Sequence, residues 1–131
     1  MREIIFRGKR KDNGEWVEGF YVKATDYLIE EEFCIIFLLD GTLFPHSEFS
    51  SYEEVKQETV GQFTGMYDIN RKKIFDGDIV RAMMNFGPGG WQECVVPITY
   101  KINDGYRWQY FDLETIEVIG NIHDNPELLD I

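Results

Sequence analysis

The chain predicts a mainly β fold, an α+β chain with very little helix. Three observations carry that prediction. Aromatic side chains make up 15% of the 131 residues and 12 glycines interrupt them. Such a composition suits strands joined by turns, whereas a helix bundle draws on more Ala, Leu and Met. Turn sequences that tolerate positive φ (Asn13-Gly14, Asp40-Gly41 and Asn103-Asp104-Gly105) fall between runs of β-forming residues. The segment Val60 to Arg81, VGQFTGMYDINRKKIFDGDIVR, also sets turn signals between two such runs.

The first element alternates, with Ile4 and Phe6 on one side and Glu3, Ile5 and Arg7 on the other. It turns at Asn13-Gly14 into a return strand holding Trp16, Val17, Phe20, Tyr21 and Val22. Phe33 to Leu39 is continuously apolar and reads as a strand covered on both faces. Asp40-Gly41 turns it back to Thr42-Leu43-Phe44, and Pro45, which has no N–H for a ladder, keeps that strand short or at an edge. These hairpins make an N-terminal β-hairpin lobe over residues 1–50. Residues 45–58 are polar with scattered aromatics and read as a connector. Within it Ser50 or Ser51 caps a short helix through Val55, with Glu54 placed three residues after Ser51 as in a capping box.

Over residues 59–123 strand-like runs recur at 60–66, 77–84, 91–100, 106–111 and 116–122. Their connections are a long excursion, the loose Asn85 to Gly90 loop, the tight turn at Asn103-Asp104-Gly105 and the short Asp112 to Thr115 link. That order is found in SH3-like barrels, so the stretch predicts a five-stranded SH3-like barrel or another small β-roll. The analogy concerns architecture and leaves function open. After His123, Asp124 or Asn125 caps a short C-terminal helical turn over 124–131, with Pro126 at its first position, where a missing N–H costs nothing. Glu127 favours the positive end of that turn, and Leu128, Leu129 and Ile131 dock it onto the barrel or a partner chain.

The formal net charge is −11, from 24 acidic and 13 basic side chains. Such a surface repels a phosphate backbone, which sets nucleic acid among the disfavoured partners, although Arg71, Lys72, Lys73 and Arg81 are grouped. Acidity is also a generic route to solubility. Cys34 and Cys94 lie in apolar runs without a C-x-x-C spacing, so free thiols in a reducing compartment are expected. No signal-peptide pattern opens the sequence, and Phe33 to Leu39, the longest apolar run, is far too short to span a bilayer. The expectation is a soluble cytoplasmic protein.

Candidate chemistry is sparse. Asp76 and Asp78 flank Gly77, where two carboxylates on one strand face would share a cation, but Asp-Gly-Asp is also ordinary turn chemistry. His46 and His123 are the imidazoles, His123 beside Asp124, and Glu114, Glu117 and His123 are the candidates for general acid/base work. None of these completes a metal cage or a nucleophile motif. The Gly-rich loop FGPGGW, Phe86 to Trp91, lacks the G-K-[ST] ending of a phosphate loop. Its flanking aromatics suit a protein-recognition surface instead, with Tyr67, Trp108 and Tyr110 as further contributors or as core. Arg71, Lys72 and Lys73 form a basic turn tip beside Tyr67 and Phe75, which is either solvated or a nucleic-acid contact. The candidate interaction surface is therefore Tyr67, Arg71, Lys72, Lys73, Phe86 and Trp91, with no cofactor, no metal and no catalytic group expected.

The opening MREIIFRGK, the segment TVGQFTGMYDINRKKIFDGDIV (59–80) and the closing IEVIGNIHDNPELL (116–129) resemble the YopX family of phage and prophage proteins. The resemblance covers both ends and the centre, which implies one YopX-like domain over 1–131. Met66 stands where the family has Leu, a neutral apolar exchange. Arg71 stands where the family commonly has Gly; if that site needs positive φ, Arg carries a strain of about 1–2 kcal/mol. What the resemblance implies is a small phage accessory protein in the cytoplasm of a bacterial host, with no catalytic residue to carry over. The leading expectation is a non-enzymatic module that binds a host or phage protein, or copies of itself as a homo-oligomer. The alternatives are a nucleic-acid-binding domain using Lys72 and Lys73, and a metal-dependent or acid/base hydrolase built on Asp76, Asp78 and His123.

Overall fold

The computed structural model describes residues 4–28, 30–38, 52–103 and 105–130. Among these the chain is β throughout, with two antiparallel sheets and no α-helix, its helical content being short 3₁₀ turns. The hydrogen-bonded strand orders are β4-β3-β2-β1-β5-β6 and β8-β7-β9. The strands run β1 (Phe6–Lys9), β2 (Trp16–Asp26), β3 (Glu31–Leu38), β4 (Tyr52–Val55), β5 (Gly61–Tyr67), β6 (Lys73–Phe75), β7 (Asp78–Asn85), β8 (Trp91–Pro97) and β9 (Glu117–Asn121). The backbone divides into two compact units, Met1–Phe63 and Thr64–Ile131.

In the first unit the Asn13-Gly14 turn forms as its residues require, with Gly14 at φ 75° and its N–H on the Arg10 carbonyl at 3.0 Å. β1 then pairs with β2 in the register Gly8↔Val17, and β2 with β3 in the register Tyr21↔Ile36. The core of this unit is Cys34, Ile36 and Val55, covered by Phe6, Val17, Tyr21 and Val60. Gly8 is needed there, because a Cβ on it would sit 3.0 Å from Cβ of Val55. Thr59 ties the unit together: its hydroxyl accepts the Lys9 N–H at 2.9 Å and donates to the Lys56 carbonyl at 2.7 Å.

One expectation for this unit is corrected. The helix through Val55 is instead the strand β4, paired with β3 in the register Cys34↔Val55 and followed by a 3₁₀ turn at Gln57–Thr59. Burial of Val55 beside Cys34 and Ile36 outweighs the weak local capping signal. The Asp40-Gly41 turn, the strand start at Thr42, Pro45, His46 and the Ser50 and Ser51 caps lie outside the described residues.

In the second unit β7 is the central strand, flanked by β8 and β9, with a register shift against β9 between Ile79 and Val80. Its core gathers Ile74, Val80, Ala82, Met84, Ile98, Phe111 and Ile116. Five strands fall in the stretch from 59 to 123, though not at all the expected places. The strand expected at 106–111 is a 3₁₀ turn at Trp108–Tyr110 entered through Arg107 in the left-handed region at φ 64°. Its aromatic run mimics strand composition, but the rings stack on one another (Tyr106 on Trp108, Trp108 on Phe111, centroids 5.7 Å apart) and do not alternate across a ladder. The strand expected at 91–100 stops at Pro97, after which Ile98 donates to the Asp78 carbonyl at 2.7 Å. The fifth strand is β6, inside what reads as an excursion. The pairings among the described residues do not include a closed five-strand ring.

The C-terminal turn forms at Pro126–Leu129 with Asn125 in the cap position. Asn125 does not cap the turn; its Oδ1 accepts the Asn121 N–H at 3.2 Å.

Candidate functional site

The basic turn tip is built on one buried carboxylate, that of Asp68. Asp68 Oδ1 accepts the N–H groups of Asn70 and Lys72 at 2.8 and 2.9 Å, and Oδ2 accepts that of Val118 at 3.0 Å. The Arg71 N–H closes the turn on the Asp68 carbonyl at 3.0 Å, with Arg71 at φ 65°. Arg71 and Lys72 are exposed, Lys73 is half-buried in β6, and Tyr67 and Ile69 are exposed beside them. The sequence marks a turn at Asp68-Ile69-Asn70, whose D-x-N spacing is an Asx-turn signal, but not the reach of the Asp68 carboxylate to Val118.

Asp76 and Asp78 serve different partners. Asp78 is buried and its Oδ2 accepts the Phe75 N–H at 2.8 Å, while Gly77 between them takes φ 97°. Asp76 accepts a 3.4 Å hydrogen bond from the Tyr106 hydroxyl. This is turn chemistry, and no group of three His, Cys, Asp or Glu among the described residues is disposed to hold a metal ion. His123 donates its backbone N–H to Asn121 Oδ1 at 3.0 Å, and the Asp124 carboxylate receives the Asn121 amide at 3.2 Å. Glu117 pairs with Arg81 at 2.9 Å, and Glu114 is exposed. Cys34 and Cys94 are free thiols, the first buried and the second half-buried.

A cleft in the second unit is about 220 Å³ in volume. Met84, Val96 and Phe111 supply apolar lining, Phe86 and Tyr106 supply rings, and Lys101 and Arg107 supply cations. Phe86 stacks on Tyr110 with centroids 5.3 Å apart, and Tyr106 meets Tyr100 edge-on at 5.4 Å. Phe86, Trp91 and Tyr100 are 59%, 51% and 60% exposed, a high value for three large rings in one unit. The loop that carries Phe86 and Trp91 is shaped by Gly87, Gly89 and Gly90, all at positive φ, and by the Gly87 N–H on Asn85 Oδ1 at 2.9 Å. Opposite it, Lys101 and Gly105 exchange backbone hydrogen bonds at 2.8 and 2.7 Å, which fixes the Tyr100-Lys101 and Tyr106-Arg107 pairs on either side of a small loop. Phe86 of the expected interaction surface lines this cleft, whereas Tyr67, Arg71, Lys72 and Lys73 belong to the separate basic turn. Sequence reading missed Tyr100, Lys101, Tyr106 and Arg107, although the repeated aromatic–cation pair around a turn was there to be read.

The cleft is small and joins apolar, aromatic and cationic lining. Its volume falls below the roughly 300–1,000 Å³ of small-molecule sites and suits a side-chain anchor. Stacked rings with adjacent cations complement an apolar group next to a negative charge.

Comparison with known proteins places the chain in a family. The model for the family described as YopX protein matches residues 5–130. Among solved structures, the crystal structure of protein EF1440 from Enterococcus faecalis is similar over 98% of this chain and 99% of that chain, with a TM-score of 0.54 and 22% identity. At that identity the likeness is one of fold alone. No curated protein matches the chain.

Proposed function

The chain belongs to the YopX protein family, and on that premise we propose that it is a non-enzymatic accessory protein of a phage or prophage that works by binding protein. The observation that carries this reading is the cleft, where Phe86, Tyr106 and two cations line an apolar recess sized for a side chain. Interfaces concentrate their energy in such aromatic and cationic positions around a desolvated centre. The partner is a host or phage protein, or a second copy, that presents an apolar anchor flanked by carboxylates. The test is affinity capture from nuclease-treated host lysate, with the native chain and with Phe86→Ala and Lys101→Glu variants in parallel. A protein retained by the native chain at high salt and lost from both variants is the expected result. Identical capture by all three chains would overturn the reading.

A second reading is favoured by the basic turn, where Arg71 and Lys72 are exposed beside Tyr67. On this reading the turn contacts nucleic acid against the chain's overall charge. It predicts salt-sensitive gel shifts that vanish when Arg71, Lys72 and Lys73 are changed to Glu; no shift at low salt would end it for simple duplexes.

A further inference from the structure

The β2–β3 hairpin ends in an arm with unusual surface chemistry. β1 pairs with β2 only as far as Gly19, and β4 pairs with β3 only between Phe37 and Cys34. Beyond those points Ala24, Thr25 and Asp26 pair with Phe33, Glu32 and Glu31, a two-stranded ribbon at the end of the sheet. Its tip carries Tyr27 and Leu28, which are 87% and 94% exposed. Glu30, Glu31 and Glu32 come next but one in sequence, all exposed, with Glu30 at φ 56°. The tip is therefore an apolar knob backed by a run of carboxylates.

Resting on the reading of the cleft as a protein-binding site, we infer that its occupant is the β2–β3 tip of a second copy of this chain. Leu28 and Tyr27 fill the recess lined by Met84, Val96 and Phe111, and the carboxylates of Glu30 to Glu32 meet Lys101 and Arg107. Charge selects this pairing. In a chain of net charge −11, tip against tip would set carboxylates against carboxylates, so the tip needs a basic counter-surface. The cleft offers both a basic rim, Lys101 and Arg107, and an apolar recess. Because tip and cleft are different patches, the contact is heterologous, and repetition gives a ring or a linear array.

The experiment is sedimentation velocity of the nuclease-treated full chain up to roughly 100 µM, a range that detects even weak self-association. Leu28→Asp breaks the knob and leaves the cleft; Arg107→Glu breaks the rim and leaves the knob. The expected result is that the native chain associates, each variant alone loses affinity about tenfold or more, and an equimolar mixture of the two forms a dimer and stops there. Lys101→Glu replaces Arg107→Glu if the latter fails to melt cooperatively. A native chain that stays monomeric overturns the second-copy occupant, while the lysate capture of cleft variants still decides the cleft itself. Variants that associate like the native chain, or a mixture that does not restore association, also overturn it. Association that disappears on nuclease treatment does so as well, and points to nucleic acid in its place.

Discussion

Asp68 holds Val118: a carboxylate oxygen of the first accepts the backbone N–H of the second at 3.0 Å across fifty residues of chain. The other oxygen of the same carboxylate takes the N–H groups of Asn70 and Lys72, so one buried side chain shapes a turn and anchors it to the start of β9. Asp68→Ala leaves three backbone donors without that acceptor, and a loss of about 2–4 kcal/mol follows from the cost of stranded buried donors. Chemical denaturation measures it. Asp68→Asn, which keeps one acceptor oxygen, should fall between the two; a loss below about 1 kcal/mol for Ala would mean that water replaces the carboxylate freely.

Arg71 sits at φ 65° on that turn, the region that costs an L-residue about 1–2 kcal/mol and costs glycine almost nothing. Its side chain is exposed, so little packing is lost on its removal. Arg71→Gly should stabilise the chain by about 1 kcal/mol, which raises Tm by a few degrees for a domain of this size. A drop in Tm would show that the Arg71 side chain contributes contacts worth more than the backbone strain.

Gly120 in β9 lies under the C-terminal turn. A Cβ there would stand 2.7 Å from Asn125 Oδ1 and 2.9 Å from Leu128 Cδ1. Gly120→Ala should therefore cost about 1–3 kcal/mol by overpacking. The added Asn125→Ala exchange removes the closest obstacle along with its 3.2 Å hydrogen bond to Asn121, so the double variant should cost less than the sum of the two single ones. Strict additivity in the thermal melts would place the strain elsewhere.

How much of this could be read from the sequence follows from the range of each interaction. The Asn13-Gly14 hairpin, the turn at Asp76-Gly77-Asp78 and the Pro126 turn are set by residues within a few positions of one another, and they form as local chemistry dictates. β4 was illegible because Val55 is held by Cys34, which lies far off in sequence. The stretch 106–111 misled because aromatic residues have strand propensity whether they alternate in a ladder or stack in a turn, and Arg107 in the left-handed region gives no signal of its own. The same reason hid the cleft. Lys101 and Arg107 each follow a tyrosine, but only the exchange of hydrogen bonds between Lys101 and Gly105 brings the two pairs together, with Tyr100 edge-on to Tyr106.

Tyr21 and Cys34 lie on neighbouring strands two positions off register, since Tyr21 pairs with Ile36, and the phenol donates to Cys34 Sγ at 3.2 Å. That hydrogen bond, with burial second and the thiol's charge third, pushes the Tyr21 pKa up to about 12. The folded value lies above the ordinary value near 10. The linked stability is thus fully present below about pH 10 and is lost as pH rises toward 12, because the unfolded chain ionises this phenol first. Ultraviolet titration of tyrosinate should show a late-titrating phenol that is missing in Tyr21→Phe. Denaturation over the same alkaline range should show the native chain losing more stability than that variant. Equal losses would mean that the phenol titrates alike in the folded and unfolded chains, and that the bond to Cys34 does not hold its proton.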